Sequence, residues 1–157
     1  MPFANTFGKK YKHQLFGLNS RLDELQAAIL SVKLTYLEKD NARRREIAGI
    51  YREIIGKSKD VEIIFEKNGE ISNYHQYPIL VNNREDFQQF LKSKGVPSLI
   101  HYPIALPDQP LFGGKYLNIK LPVVRNFVNK ELSLPIHPFL TDDEVRYIGK
   151  TVLEYFT

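Results

Sequence analysis

The feature that most constrains the fold of this chain is a long run of apolar residues spaced three and four positions apart. The pattern runs through Leu22, Leu25, Ile29, Val32 and Tyr36, and it resumes at Ile47, Ile50 and Ile54. This spacing places the side chains on one face of a helix, and Gly56 is a suitable residue for ending it. A helix over 21–55 would be roughly 50 Å long at about 1.5 Å per residue. Such a helix is longer than one small domain requires.

The middle of this predicted helix, from Glu38 to Arg45, is almost entirely polar. We therefore expect it to cross solvent or a boundary between domains. Residues 1–18, which precede the predicted helix, show no regular spacing of apolar residues and form an irregular lead-in. This pattern divides the chain into a lead-in over 1–18, a long helix over 19–56 and a smaller domain over 57–157.

The domain over 57–157 alternates short strand patterns with helix patterns. We predict strands at 61–65, 74–81, 97–102 and 132–136, and helices at 84–95, 121–131 and from the Thr141 cap to about Phe156. Asn68-Gly69 predicts a turn between the first two strands, and a proline-rich loop follows the third. The fold class is α+β: a long N-terminal helix and a small, mostly antiparallel sheet covered by helices.

Composition excludes several classes of function. The 157 residues include no Cys, so disulfides, thiolate metal sites and thiol nucleophiles are absent. The four His residues form no metal-ligand spacing, and we predict no metal site. The net charge of +4 is mild and mostly scattered, so nucleic-acid binding is not predicted. No apolar run is long enough to span a bilayer, and the N-terminal residues MPFANTFGKK lack the apolar core of a signal peptide. We therefore expect a cytoplasmic protein without a membrane partner.

The helix entrance GLNSRLDELQAAIL, 17–30, carries more polar groups than a helix start needs. Ser20 and Asp23 have the spacing of a capping box. Asn19 and Arg21 have two interpretations. They are ordinary capping and solvent residues, or they bind an anion together with the helix N–H groups. The helix dipole disfavours an arginine in the first turn, which is a first indication that Arg21 has another role.

A second candidate site lies at His101-Tyr102-Pro103, where a predicted strand runs into the proline-rich loop. Loops held by a rigid support often carry recognition groups. The alternative is a polar strand end whose imidazole bonds a nearby carbonyl. Spacing alone favours this second interpretation.

The 17–28 segment resembles the GxNSRxDExQAA signature of the DegT/DnrJ/StrS sugar aminotransferases, which are pyridoxal-phosphate (PLP) enzymes of fold type I. Further blocks agree in order and spacing: Tyr11 and His13, Arg43-Arg44 with Ile47-Ala48 and Tyr51, Ile100-His101-Tyr102-Pro103 with Gln109-Pro110, and Leu132-Ser133-Leu134-Pro135 with Pro138 and Leu140-Thr141. The resemblance covers nearly the whole chain.

The resemblance implies a role for each candidate residue. Asn19 would bind the PLP phosphate across a homodimer interface, and Arg21 would bind a carboxylate or phosphate of the substrate. His101 and Tyr102 would line the substrate pocket. The long helix would link the small C-terminal domain to a cofactor domain. The implied reaction transfers an amino group, usually from glutamate, to a nucleotide-linked keto-sugar for lipopolysaccharide, O-antigen or antibiotic-sugar synthesis.

The resemblance also implies that the catalytic lysine is missing from this sequence. Enzymes of this kind carry the Schiff-base lysine in an N-terminal domain, and Lys9 and Lys10 lack its motif. We therefore expect a C-terminal fragment without catalytic residues of its own, which does not bind PLP covalently and is inactive alone. Two alternatives stay open. One is a non-catalytic domain that binds a partner or regulates. The other is a piece of a related PLP or pyridoxamine-phosphate sugar dehydratase, in which histidine replaces the lysine.

Overall fold

The computed structural model describes Lys12 and residues 22–157. Two helices come first, α1 (Glu24–Leu34) and α2 (Leu37–Ile55). Strands β1 (Val61–Ile63) and β2 (Tyr77–Val81) follow, then helix α3 (Arg84–Ser93), two short 3-10 turns (Leu106–Asp108 and Pro110–Phe112) and helix α4 (Pro122–Lys130). Strand β3 (Glu131–Leu134) and helix α5 (Asp142–Glu154) complete the fold.

The predicted continuous helix is divided at Thr35 and Tyr36. There the backbone N–H groups of Thr35 and Tyr36 donate to the carbonyls of Val32 and Lys33, three residues back instead of four. The Thr35 hydroxyl also donates to the Val32 carbonyl at 2.8 Å. Such i→i−3 bonds tighten the last turn of a helix and end it. The single helix predicted over 21–55 is therefore two consecutive helices.

The start of α1 also differs from the prediction. Asp23 is itself the N-cap, and its carboxylate accepts the backbone N–H of Gln26 at 2.7 Å. Leu22 has a φ of +100°, outside the helical region, so the helix begins at Glu24. Asp23 was predicted to lie inside the helix, with Ser20 as its cap. Ser20 lies outside the described residues.

The sheet is antiparallel, in the order β1-β2-β3. Val61 pairs with Val81 and Ile79 pairs with Leu132. The turn predicted at Asn68-Gly69 is confirmed, because the Glu70 N–H donates to the Lys67 carbonyl there. The strand predicted over 97–102 is wrong. That segment makes only an isolated bridge from Leu99 to Ser133 of β3.

The hydrophobic core lies between the sheet and helices α2, α3 and α5. Its fully buried members include Ile47, Tyr51, Ile55, Ile79, Phe87, Leu91, Leu132, Val145 and Val152. Helix α5 approaches α2 closely at Gly149, where an added Cβ would stand 3.0 Å from the Ile54 side chain. The predicted Thr141 cap is confirmed, with Glu144 completing a capping box.

Helix α1 contributes nothing to this core, because none of its residues is buried. Its apolar face consists of Leu25, Ile29 and Val32, each 52–72% exposed, and Leu22, which is 62% exposed, lies just before the helix. In contrast, α2 buries Ile47 and Ile55 completely. The two halves of the predicted helix therefore have different roles: α2 belongs to the domain, and α1 extends an apolar face to solvent.

Two neighbouring tyrosines in the core differ in whether the hydroxyl has a hydrogen-bond partner, so comparing them measures what one such bond contributes to stability. The rings of Tyr51 and Tyr77 lie 4.9 Å apart, and burial raises the pKa of both phenols above their ordinary value. The Tyr51 hydroxyl donates to the Pro135 carbonyl at 2.7 Å. The Tyr77 hydroxyl is buried and has no hydrogen-bond partner in the described part of the chain.

We predict that Tyr51→Phe lowers the free energy of unfolding by about 1–2 kcal/mol, because it removes the donor to a half-buried carbonyl. The matched variant Tyr77→Phe should leave stability unchanged or raise it, because it removes a buried hydroxyl that has lost its water without gaining a partner. Urea denaturation of the two variants gives the comparison. Equal losses in both would contradict the assigned hydrogen bond.

The exposed face of α1 predicts self-association. Contiguous apolar surface of this kind is unusual on a monomer, so we expect the average mass to rise with concentration in sedimentation velocity. The double variant Leu25→Glu/Ile29→Glu should restore the monomer. Ser31→Glu, on another face of the same helix, should not. A monomer at every concentration of the unmodified chain would refute this prediction.

Candidate functional site

The candidate residues at the helix entrance cannot be compared with the structure. Asn19 and Arg21 lie outside the described residues. Their proposed roles in binding the PLP phosphate and a substrate anion therefore stay predictions.

His101 and Tyr102, the other two candidates, follow the point where the 97–102 segment touches β3. The backbone of Leu99 exchanges two hydrogen bonds with Ser133, of 3.2 and 2.7 Å. This contact holds the chain just before His101. His101 is half-buried and Tyr102 is 58% exposed, with their ring centroids 5.7 Å apart in an edge-to-face arrangement. The two side chains thus stand together at the surface beside the sheet.

Strand β3 is buried on both faces, and one of these faces is polar. Side chains alternate along a strand, so Glu131 and Ser133 lie on the face opposite Leu132 and Leu134. Leu132 and Leu134 belong to the hydrophobic core. Glu131 is 0% exposed and Ser133 is 6% exposed. A carboxylate and a hydroxyl buried in this way require hydrogen-bond partners.

The partners come from His101 and from within the strand itself. One Glu131 oxygen accepts the backbone N–H of His101 at 2.7 Å, and the other accepts the Ser133 hydroxyl at 2.6 Å. Nδ1 of His101 lies 3.1 Å from the Ser133 oxygen. His101, Ser133 and Glu131 therefore form one connected network. The imidazole bonds a side-chain hydroxyl, and not a carbonyl as the simpler interpretation of the sequence expected.

Glu131 is not among the candidate residues predicted from the sequence. Its predicted position is the end of a helix over 121–131, whereas α4 ends at Lys130 and Glu131 opens β3. The available signal was the alternation in Glu131-Leu132-Ser133-Leu134, which gives a polar face beside an apolar one. This polar face is buried because the 97–102 segment packs against it. No local sequence pattern predicts the position of that segment.

The proline-rich loop after Tyr102 is anchored to α4. Arg125 donates to both carboxylate oxygens of Asp108, at 2.7 and 3.1 Å. A two-pronged pair of this kind fixes geometry as well as distance. Ala105 and Gln109 of the same loop are buried. The loop therefore has a defined position next to the His101 segment.

A cavity of about 200 Å³ lies beside the network. Its polar lining comes from His75, Gln76, Ser98, His101 and Ser133. The Ser98 hydroxyl oxygen is buried and has no hydrogen-bond partner among the described residues. Because the Ser98 oxygen is inaccessible and the Ser133 hydroxyl donates to Glu131, the side chains left to bond a ligand are those of His75, Gln76 and His101.

The segment that leads to His75 is held by a second polar cluster. Arg52 of α2 donates to the Tyr74 hydroxyl at 2.7 Å and lies 3.6 Å from Glu66. The backbone N–H of Ser72 donates to Glu66 at 2.7 Å. This bond, followed by contacts with Tyr74 and Arg52, holds the pKa of Glu66 below its ordinary value. The cluster fixes the start of the segment that brings His75 and Gln76 to the cavity.

The described residues offer no enclosed site for a Schiff-base lysine. Every lysine among them is exposed to solvent except Lys130, which is half-buried. A lysine that forms a Schiff base is normally desolvated or placed beside another cation. The described residues therefore do not by themselves fit covalent PLP.

The described part of the chain contains no cluster of three or more His, Asp or Glu side chains arranged to hold a metal ion. None of the helices there is long and apolar enough to cross a membrane.

Comparison with known proteins places this chain among aminotransferases. Residues 3–153 match the model of the DegT/DnrJ/EryC1/StrS aminotransferase family. The chain is 39% identical over 147 residues to dTDP-3-amino-3,6-dideoxy-alpha-D-galactopyranose transaminase of Aneurinibacillus thermoaerophilus, a match covering 94% of this chain and 40% of the relative. It is 35% identical over 150 residues to the pleiotropic regulatory protein of Geobacillus stearothermophilus, a match covering 94% of this chain and 40% of that protein.

The fold agrees with this assignment. The structure of DesV from S. venezuelae superposes with a TM-score of 0.82 at 29% identity, over 94% of this chain and 40% of DesV. The predicted α+β class is confirmed, and the architecture matches the C-terminal part of fold-type I aminotransferases. Aminotransferases of this family depend on PLP. The chain spans about 40% of the length of the relatives it matches. It belongs to the DegT/DnrJ/EryC1/StrS aminotransferase family.

Proposed function

We propose that this chain is the C-terminal part of a PLP-dependent aminotransferase that acts on nucleotide-linked keto-sugars, with glutamate as the amino donor. The observation that carries the proposal is the family match over 3–153. The transaminase from Aneurinibacillus thermoaerophilus, whose name specifies a dTDP-linked amino sugar, supports the substrate class. The product would enter lipopolysaccharide, O-antigen or deoxyamino-sugar synthesis.

The polar surface around His101 suits this substrate class. A nucleotide-linked sugar presents several hydroxyl groups, and His75, Gln76 and His101 at the cavity supply imidazole and amide groups that can bond them. Tyr102 adds an exposed aromatic ring next to the imidazole. In this proposal His101 and Tyr102 bind and orient the sugar nucleotide. PLP, when bound to the complete enzyme, would supply the electron sink for the amino transfer.

The helix entrance would complete the site from a second subunit. Asn19 would donate to the PLP phosphate across a homodimer interface, and Arg21 would bind an anionic group of the substrate. The exposed apolar face of α1 is consistent with this arrangement, because a helix without buried residues has surface available for a cofactor domain or a second subunit.

A second candidate function is regulation without catalysis. The name of the relative from Geobacillus stearothermophilus, a pleiotropic regulatory protein, favours it. In that case the apolar face of α1 would bind a partner protein. The sequence encoded immediately upstream separates the possibilities. A PLP-lysine motif there, or in an adjacent gene, favours the aminotransferase, histidine at that position favours a dehydratase relative, and the absence of both favours regulation.

We predict that the chain alone, mixed with PLP, shows only the absorbance of free PLP and no amino transfer. Together with a separately expressed N-terminal cofactor domain, it should show the visible absorbance of lysine-bound PLP and turnover with glutamate. The physical reason is that the described lysines are too exposed to form a protected Schiff base. Absorbance is recorded with each part alone and with both parts mixed.

The reconstituted enzyme also tests Asn19. Asn19→Ala should weaken PLP retention, because it removes a donor to the phosphate, whereas Asn68→Ala in an exposed turn should have no effect. Lysine-bound PLP and turnover by the chain alone would refute the proposed division of the active site.

A further inference from the structure

The buried carboxylate of Glu131 determines how the hydrogen atoms of its network are arranged. An ionised Glu131 only accepts hydrogen bonds, and both of its neighbours in the network, a backbone N–H and a hydroxyl, are able to donate. It accepts the backbone N–H of His101 with one oxygen and the hydroxyl of Ser133 with the other. The single hydrogen of the Ser133 hydroxyl is therefore directed at Glu131.

This arrangement determines which nitrogen of His101 carries the proton. The Ser133 oxygen lies 3.1 Å from Nδ1 of His101 and has no second hydrogen to donate. It can only accept from that nitrogen, so Nδ1 must carry a hydrogen. A neutral imidazole has one N–H, and Nε2 is then an acceptor. The hydrogen bond made by one ring nitrogen sets the state of the other.

Nε2 is the ring nitrogen of His101 that is left for a ligand. No hydrogen bond joins Nε2 to a described residue, and His101 lines the cavity of about 200 Å³. An acceptor nitrogen complements a ligand hydroxyl, because a hydroxyl can donate its hydrogen to it.

We propose that Glu131 is a positioning residue that acts through Ser133 to hold the proton of neutral His101 on Nδ1. Nε2 is thereby an acceptor for a hydroxyl group of the bound ligand. That the ligand is a nucleotide-linked sugar rests on the function proposed above. The assignment of the proton does not depend on that function.

The proton assignment is tested on the 157-residue chain without cofactor or substrate. Long-range proton–nitrogen NMR spectra of the ¹⁵N-histidine-labelled protein distinguish the two neutral tautomers. They are recorded at a pH of about 8.5, well above the ordinary histidine pKa of about 6.5. A His101→Gln variant identifies the His101 signals. We expect Nδ1–H in the unmodified chain, and Nε2–H there would overturn the proposal.

Glu131→Gln provides a nearly isosteric change of the network. The amide can accept the His101 backbone N–H with its oxygen and donate to Ser133 with its nitrogen, which frees the Ser133 hydroxyl to donate to Nδ1. The tautomer should then reverse to Nε2–H. Ser98→Ala, a control in the same cavity but outside the network, should keep Nδ1–H. An unchanged tautomer in folded Glu131→Gln would refute the role of Glu131.

If Glu131→Gln does not fold, the spectrum of the unmodified chain is the deciding measurement. The variant Ser133→Thr provides a second test. Threonine keeps the hydroxyl, so the Nδ1–H tautomer should persist. Loss of Nδ1–H in folded Ser133→Thr would contradict the assigned path through the hydroxyl.

The use of Nε2 in recognition is tested in the reconstituted enzyme. Glu131→Gln should raise KM for the sugar nucleotide about tenfold, the effect of one poorly matched hydrogen bond, with a smaller change in kcat. An unchanged KM would refute recognition by Nε2. Absence of turnover in the unmodified pair would count against the proposed function, and the NMR result would still decide the proton assignment.

Discussion

The burial of strand β3 on both faces is the constraint on which the rest of the structure depends. Leu132 and Leu134 fill the hydrophobic core, so alternation along the strand directs Glu131 and Ser133 to the other face. A buried carboxylate without partners would be strongly destabilising. The fold meets this requirement by bringing the backbone of His101 against Glu131. The same contact places the imidazole next to Ser133 and at the cavity.

Helices α1 and α2 show how one sequence pattern can serve two purposes. Both carry apolar residues with helical spacing, but only α2 buries them, and the Tyr51 hydroxyl further ties α2 to the end of β3. The i→i−3 bonds at Thr35 and Tyr36 separate the two helices. In an aminotransferase divided as proposed, α2 would stabilise the small domain, and α1 would be the element through which that domain meets the rest of the enzyme.

Local patterns predicted the elements whose stability is local. The Thr141 capping box and the Asn68-Gly69 turn are each specified by residues within four positions. The strand predicted over 97–102 was wrong because its residues have strand preferences but find only one bridge to β3. The start of α1 was misplaced because Ser20 and Asp23 can each cap a helix, and the backbone of Leu22 excludes the earlier start. In both cases the local sequence was compatible with two structures: a strand or an irregular segment at 97–102, and a helix start after Ser20 or after Asp23.

The sequence by itself determined the family, the α+β class and the candidate residues His101 and Tyr102, because motifs, periodicity and capping residues are local or ordered along the chain. Only the tertiary structure decided that Glu131 is completely buried, that Ser133 joins it to His101, and that α1 is left exposed. Glu131 and His101 are 30 residues apart. Their contact depends on how the 97–102 segment packs against β3. The burial of Glu131 results from that packing and is not set by the residues next to Glu131 in the sequence.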